Sequence, residues 1–169
     1  MSPVTRRQLL GGAVVAGGAV LGSAASGWTP RVGDPQAGAV FRVQGHGLSL
    51  SSPTFRKGIQ PIPGERILAQ AELATDRGEH LGRFYAVFMA LAPAVDSAAA
   101  SLEEHTFDFG DGTLVGSGLG TREPEIADTF AIVGGTGRYE SAQGTYMAIQ
   151  HHLELGGDGT AEFLISLTA

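Results

Sequence analysis

Three side chains stand out as groups that could move a proton: His105, His151 and Tyr85. Imidazole titrates near neutral pH, so a histidine among apolar neighbours is a candidate general acid or base. Alternate residues of a strand share a face. Over Leu102 to Phe109 that rule groups His105 with Phe107 and Phe109, opposite Glu104, Thr106 and Asp108. Over Thr145 to Leu155 it groups His151 with Met147, Ile149, Leu153 and Leu155, opposite Tyr146, Gln150, His152 and Glu154. His151 reads equally well as a hydrogen-bonded core histidine. Over Leu81 to Leu91, Arg83 and Tyr85 share a face with Val87 and Met89, but the face carrying Phe84 and Phe88 is as apolar. Periodicity leaves open which of the two is interior. Tyr85 is either a pocket hydroxyl or an aromatic at a core or subunit contact. The expected catalytic set is therefore Tyr85, His105 and His151, in a pocket lined by Arg83, Phe107, Met147, Ile149 and Phe163.

Other chemistries find no support. His151 and His152 point oppositely in a strand and cannot chelate one metal, and no H-x-x-x-H or H-E-x-x-H occurs. Asp108 and Asp111 lack the alternating carboxylates of a calcium loop. Ser117, in Val-Gly-Ser-Gly-Leu, fails G-x-S-x-G at both ends. Nothing pairs two carboxylates for glycoside hydrolysis. Cysteine is absent, which removes disulfides, zinc thiolates and thiol nucleophiles. No metal and no cofactor are expected.

The elements that would position these groups are strands. The last is the cleanest: Ala161, Phe163, Ile165 and Leu167 alternate with Glu162, Ser166 and Thr168. Gly110-Asp111-Gly112 marks a hairpin between 102–109 and 113–119. Further strands read over 40–50, 65–74, 81–91, 126–133 and 145–155, with a short helical turn over Ser97 to Ser101. Gln70 and Glu72 fall on a polar, outer side. About eight strands and almost no helix point to an all-β, antiparallel, closed barrel. Such a barrel holds side chains or one small ligand.

Before this domain, Arg6-Arg7 precedes the apolar run from Leu9, and Ser23-Ala24-Ala25 supplies small residues. This is the order of an export signal over 1–25, of the twin-arginine type, with a linker over 26–38 and the barrel over 39–169. The run is short and glycine-rich, so no stable membrane span is expected after its removal. Without Arg6 and Arg7 the chain carries 9 basic and 17 acidic side chains, a formal charge of −8. That disfavours nucleic acid as a partner. The expected location is the cell envelope or the exterior.

One stretch, FAIVGGTGRYESAQGTY (130–146), looks like a phosphate loop. Glu140 stands where the third glycine of a dinucleotide fingerprint belongs, and Gly144 cuts off the helix that should follow. Glycine here supplies backbone geometry at a corner between two strands, at Gly134, Gly135, Gly137 and Gly144. The stretch resembles the signature of the allene oxide cyclase and dirigent barrel superfamily, through Ile132, Gly134, Gly135, Thr136, Gly137, Tyr139, Ala142 and Gly144. DGTLVGSGL (111–119) and RGEHLGRFYAVF (77–88) look like the corresponding strands of bacterial members. The resemblance spans roughly 65–169 and implies an eight-stranded barrel, assembled as a homotrimer or homodimer. It further implies a small hydrophobic ligand, steered through cyclisation or stereoselective coupling by an apolar cavity and one or two polar groups. The alternative is a non-catalytic barrel that carries a lipophile or acts through its outer surface.

Overall fold

The computed structural model describes residues 38–52, 61–92, 100–121, 125–151 and 159–168. Eight strands lie among them: β1 (Val40–Ser51), β2 (Arg66–Ala74), β3 (His80–Ala90), β4 (Ala100–Asp108), β5 (Gly112–Thr121), β6 (Ala127–Gly137), β7 (Gly144–His151) and β8 (Gly159–Leu167). Each pairs antiparallel with its neighbours in sequence, and β1 pairs with β8, so the barrel closes. Closure leaves no sheet edge unpaired. The expected fold class is the observed one. The export signal and linker lie outside the described residues up to Gly38, where pairing already begins: Gly38 N donates to Leu167 O at 3.0 Å.

Alternation sets the core. Ile67, Ala69, Ala71 and Leu73 of β2, Phe84, Ala86 and Phe88 of β3, and Ala161, Phe163, Ile165 and Leu167 of β8 all point inward. Gln70 and Glu72 are outside, as their strand predicts. The ambiguous strand is thereby resolved: Phe84 and Phe88 are interior, while Arg83 and Tyr85 face out.

The two ends of the barrel differ. Connections 75–79, 109–111 and 138–143 at one end are tight. In the first, the Thr75 hydroxyl accepts from the amides of Arg77 and Glu79 at 3.2 Å. This end is plugged by Phe41, Phe109 and Tyr139, with the Arg138 guanidinium 4.6 Å from the Tyr139 ring centroid and its Nε 3.2 Å from Asp111. The opposite end carries the longer connections 52–65, 91–99 and 152–158, most of which lie outside the described residues.

The glycine stretch differs from expectation in one respect. Gly134 to Gly137 are not the corner but the last residues of β6, paired with β5 through Val115↔Gly134, Leu114↔Gly135 and Gly112↔Gly137. Val133 is an extra residue at a bulge, and the chain turns over 138–143. The smallness of Gly135 and Gly137 serves close approach, whereas Gly134 has open space where a side chain would stand. A Cβ on Gly135 would stand 2.9 Å from Tyr139 Cβ, and one on Gly137, at φ +60°, 2.9 Å from Gly112 Cα. The expected helical turn at 97–101 gives way to strand from Ala100, and its earlier residues lie outside the described set.

Candidate functional site

Strand β4 carries polar residues into the core. Its inward positions are Ser101, Glu103, His105 and Phe107, all buried, with Glu103 2 % and His105 1 % exposed. Their partners form one chain of contacts. The Ser101 hydroxyl donates to Glu103 Oε1 at 2.5 Å, Glu103 Oε2 lies 3.0 Å from His105 Nε2, and His105 Nδ1 meets the Tyr146 hydroxyl at 2.5 Å. The Glu103–His105 contact is close but lacks the alignment of a directed hydrogen bond. In the neutral imidazole the nearby carboxylate favours the proton on Nε2, and in that tautomer Nδ1 accepts from Tyr146.

The surroundings are aromatic. His105 lies 4.7 Å from Phe130, 5.1 Å from Phe84 and 5.8 Å from Phe88, centroid to centroid. Tyr146 stacks on Phe130 at 5.2 Å and meets Phe107 edge to face at 5.1 Å. Burial, with the Glu103 charge adding to it, holds the Tyr146 hydroxyl far above its ordinary value of 10.0, so it remains a phenol.

Strand β5 makes the room. Its inward positions after Leu114 are Gly116, Gly118 and Gly120, and each stands against one large side chain. A Cβ on Gly116 would lie 2.6 Å from the Tyr146 oxygen. One on Gly118 would lie 2.9 Å from Phe130 Cδ1, and one on Gly120 2.5 Å from Glu103 Cδ. The motif that failed as a nucleophile elbow is thus a strip without side chains, its space taken by Tyr146, Phe130 and Glu103. The outward residues between, Ser117 and Leu119, take no part.

Of the residues expected from the sequence, the structure brings together His105, Phe107 and Phe163 in the interior. It does not bring the others there. Tyr85 (39 % exposed) and Met147 (37 % exposed) sit on the outer wall with Arg83, Ile149 and His151. Arg83 joins a surface network in which the Tyr85 hydroxyl, then Glu72, hold its guanidinium above the usual value. His151 Nδ1 lies 2.7 Å from Glu125 and faces Glu162 at 4.0 Å, outside the barrel. The assignment of faces on β7 was inverted. Both faces are apolar, and Tyr146 and Ala148 take the interior because Gly116 leaves a ring-sized space opposite. Residues 152–155 of the expected strand lie outside the described residues.

Glu103, Ser101 and Tyr146 were missed. Glu103 shares the parity of His105 and Phe107, so the signal existed. The rule that carboxylates face water hid it. Among the described residues no three metal-ligating side chains converge.

No protein-family model matches the chain, and no curated protein matches it. Solved structures share its fold. A pterocarpan synthase dirigent protein superposes with a TM-score of 0.62 at 18 % identity, over 79 % of this chain and 96 % of that one. The Diels Alderase AbmU from Streptomyces koyangensis gives 0.62 at 20 % identity, over 78 % of this chain and 64 % of that one. A pyocyanin demethylase gives 0.58 at 20 % identity, over 77 % and 100 %. At these identities the likeness is one of fold.

Proposed function

We propose that this barrel, which has the fold of dirigent proteins and cyclases, binds a small hydrophobic molecule and steers its cyclisation or stereoselective coupling. One observation carries the reading: a buried Ser101–Glu103–His105–Tyr146 chain enclosed by Phe84, Phe88, Phe107 and Phe130. A barrel that served only to pack would be more stable with apolar residues at Glu103 and His105, because taking charge out of water costs several kcal/mol per ion. A mere carrier of lipophiles gains nothing from it either. Aromatic walls would hold an apolar substrate in one reactive shape, and the polar chain would act on charge as it develops. This reading calls on no cofactor. The neighbours named for coupling and cycloaddition support it by their shared scaffold.

The test is native mass spectrometry of protein purified from its own host, paired with titration of N-phenyl-1-naphthylamine. A co-purifying lipophile, or saturable probe binding weakened by Phe130→Asp, is expected. Bare protein that binds no apolar probe sinks the reading.

The outer wall supports self-association. Leu68 (50 % exposed), Leu102 (39 % exposed) and Leu119 (63 % exposed), with Val87 and Met89, form an apolar strip across β2 to β5, continued by Tyr85. We propose that copies meet here as a homotrimer or homodimer, exported through the twin-arginine signal. Sedimentation of the mature chain should show an oligomer that Leu119→Glu dissociates. A monomeric parent refutes the assembly, and export that proceeds equally with Arg6 and Arg7 intact or replaced by Lys refutes the signal.

A further inference from the structure

The order of the buried chain has a direction. Glu103 stands behind His105 Nε2, and Tyr146 stands in front of Nδ1. A tyrosine at the head of such a chain can pass its proton inward while its oxygen takes one from outside. We propose that Tyr146 is the proton-accepting catalytic residue of the barrel, with His105 and Glu103 as positioning residues behind it, and that the substrate is an apolar molecule carrying a weakly acidic O–H or N–H. This rests on the small-molecule reading above and deepens it.

The step balances without a redox partner. The substrate O–H or N–H bond breaks, and its proton joins the Tyr146 oxygen while the Tyr146 proton moves to His105 Nδ1. The products are a substrate anion, an intact phenol and an imidazolium. The same proton returns by the same route once the anion has formed its new bond, so the whole is an isomerisation.

Three features favour acceptance over donation. First, with the imidazole proton on Nε2, Nδ1 is the acceptor in the 2.5 Å contact and the Tyr146 hydroxyl gives its proton in that direction. Second, His105 is surrounded for the charged state. The titratable groups facing it among the described residues are Glu103 and Tyr146, and β3 and β6 contribute only the rings of Phe84, Phe88 and Phe130 at 4.7–5.8 Å. A carboxylate at 3.0 Å stabilises an imidazolium. Third, burial keeps Tyr146 from ionising unaided, so it works only as a relay. An O–H or N–H acid is preferred to a carbon acid because the other inward polar groups of β4 are occupied. Ser101 is committed to Glu103, which leaves no pair of donors for an enolate oxygen.

The test uses 4-nitrophenol, an apolar O–H acid whose anion absorbs visible light and whose neutral form does not. It is added to the mature protein in buffer acidic enough to keep the free probe neutral. The parent should generate the anion band saturably, and nitrogen NMR of His105 should show both ring nitrogens protonated in the complex. Tyr146→Phe keeps the ring packing and should bind the probe with the anion yield lowered about tenfold, one pKa unit of lost driving force. Glu103→Gln should lower it in the same direction. A probe that binds the parent but stays neutral overturns the relay while the small-molecule reading stands. An anion yield unaltered in Tyr146→Phe does the same. No binding of this or any apolar probe overturns both.

Discussion

Replacing Gly116 with alanine adds one methyl group, and the structure says where it goes. The new Cβ would lie 2.6 Å from the Tyr146 oxygen and 2.8 Å from its Cζ, well inside contact distance. The ring cannot simply step aside. Phe130 stacks on it at 5.2 Å, Phe107 meets it at 5.1 Å, and its hydroxyl is bonded to His105. Overpacking of this kind costs about 1–3 kcal/mol. Losing the hydrogen bond adds about 0.5–1.5 kcal/mol. The stiffer unfolded chain returns about 0.4–1 kcal/mol. The net is a loss of about 2 kcal/mol, or roughly 6 °C in a domain of this size. Gly45 supplies the control, because a Cβ there meets Phe163 at 3.3 Å, Ala71 at 3.5 Å and Ala161 at 3.7 Å. Gly45→Ala should stay within about 1 kcal/mol of the parent. Urea unfolding of both variants, repeated on a Tyr146→Leu background, isolates the clash. With the ring gone, Gly116→Ala should cost less than about 0.5 kcal/mol. If it costs the same in both backgrounds, or melts with the parent, the strip of glycines is not there to seat Tyr146.

Alkaline stability follows from the buried phenol. The folded-state value of Tyr146 is raised, so its contribution is complete below the unfolded value of 10.0 and declines as pH rises beyond it. Each pH unit above about 10 should remove about 1.4 kcal/mol per such group, and Tyr139, raised by its own burial, adds in the same sense. Urea midpoints of Tyr146→Phe across that range should fall less steeply than the parent's; parallel curves contradict the burial argument. Glu103→Ala strands the Ser101 hydroxyl without an acceptor and removes the carboxylate beside His105 Nε2, and should cost about 1–3 kcal/mol for the hydroxyl alone, read by thermal melting. Gly135→Val drives a side chain into Tyr139 and should cost about 3 kcal/mol or more, with low soluble yield as the readout. Whatever fraction folds should still bind an apolar probe, since Gly135 pairs with Leu114 at the plugged end, away from the polar chain.

The strand count, the hairpin at Gly110-Asp111-Gly112 and the closed antiparallel architecture were legible because turn residues and period-2 alternation are local. On β8 the alternation is nearly perfect, and its inward set was readable residue by residue. On β7 and β3 both faces are apolar, so parity alone was undecided or misleading. What settles β7 lies on another strand: the missing side chain at Gly116, which seats the Tyr146 ring and which no local pattern around Met147 or His151 contains. The site was half legible. His105 and Phe107 could be placed inside from their own strand, but Tyr146 was grouped with polar residues because a phenol reads as polar in a list of neighbours. Glu103 was passed over because burial of a carboxylate is rare, and it is tolerated here only where Ser101 and His105 meet it.

The sequence by itself determined that this chain makes strands and closes as a barrel with His105, Phe107 and Phe163 among its inward residues. Those properties depend on neighbours a few positions apart. Only the tertiary structure decided which wall β7 turns inward, and that Ser101, Glu103, His105 and Tyr146 form one buried chain. Those contacts join β4 to β7 across the interior beside β5. A strand's own alternation names two faces, and only the shape of what stands opposite decides between them.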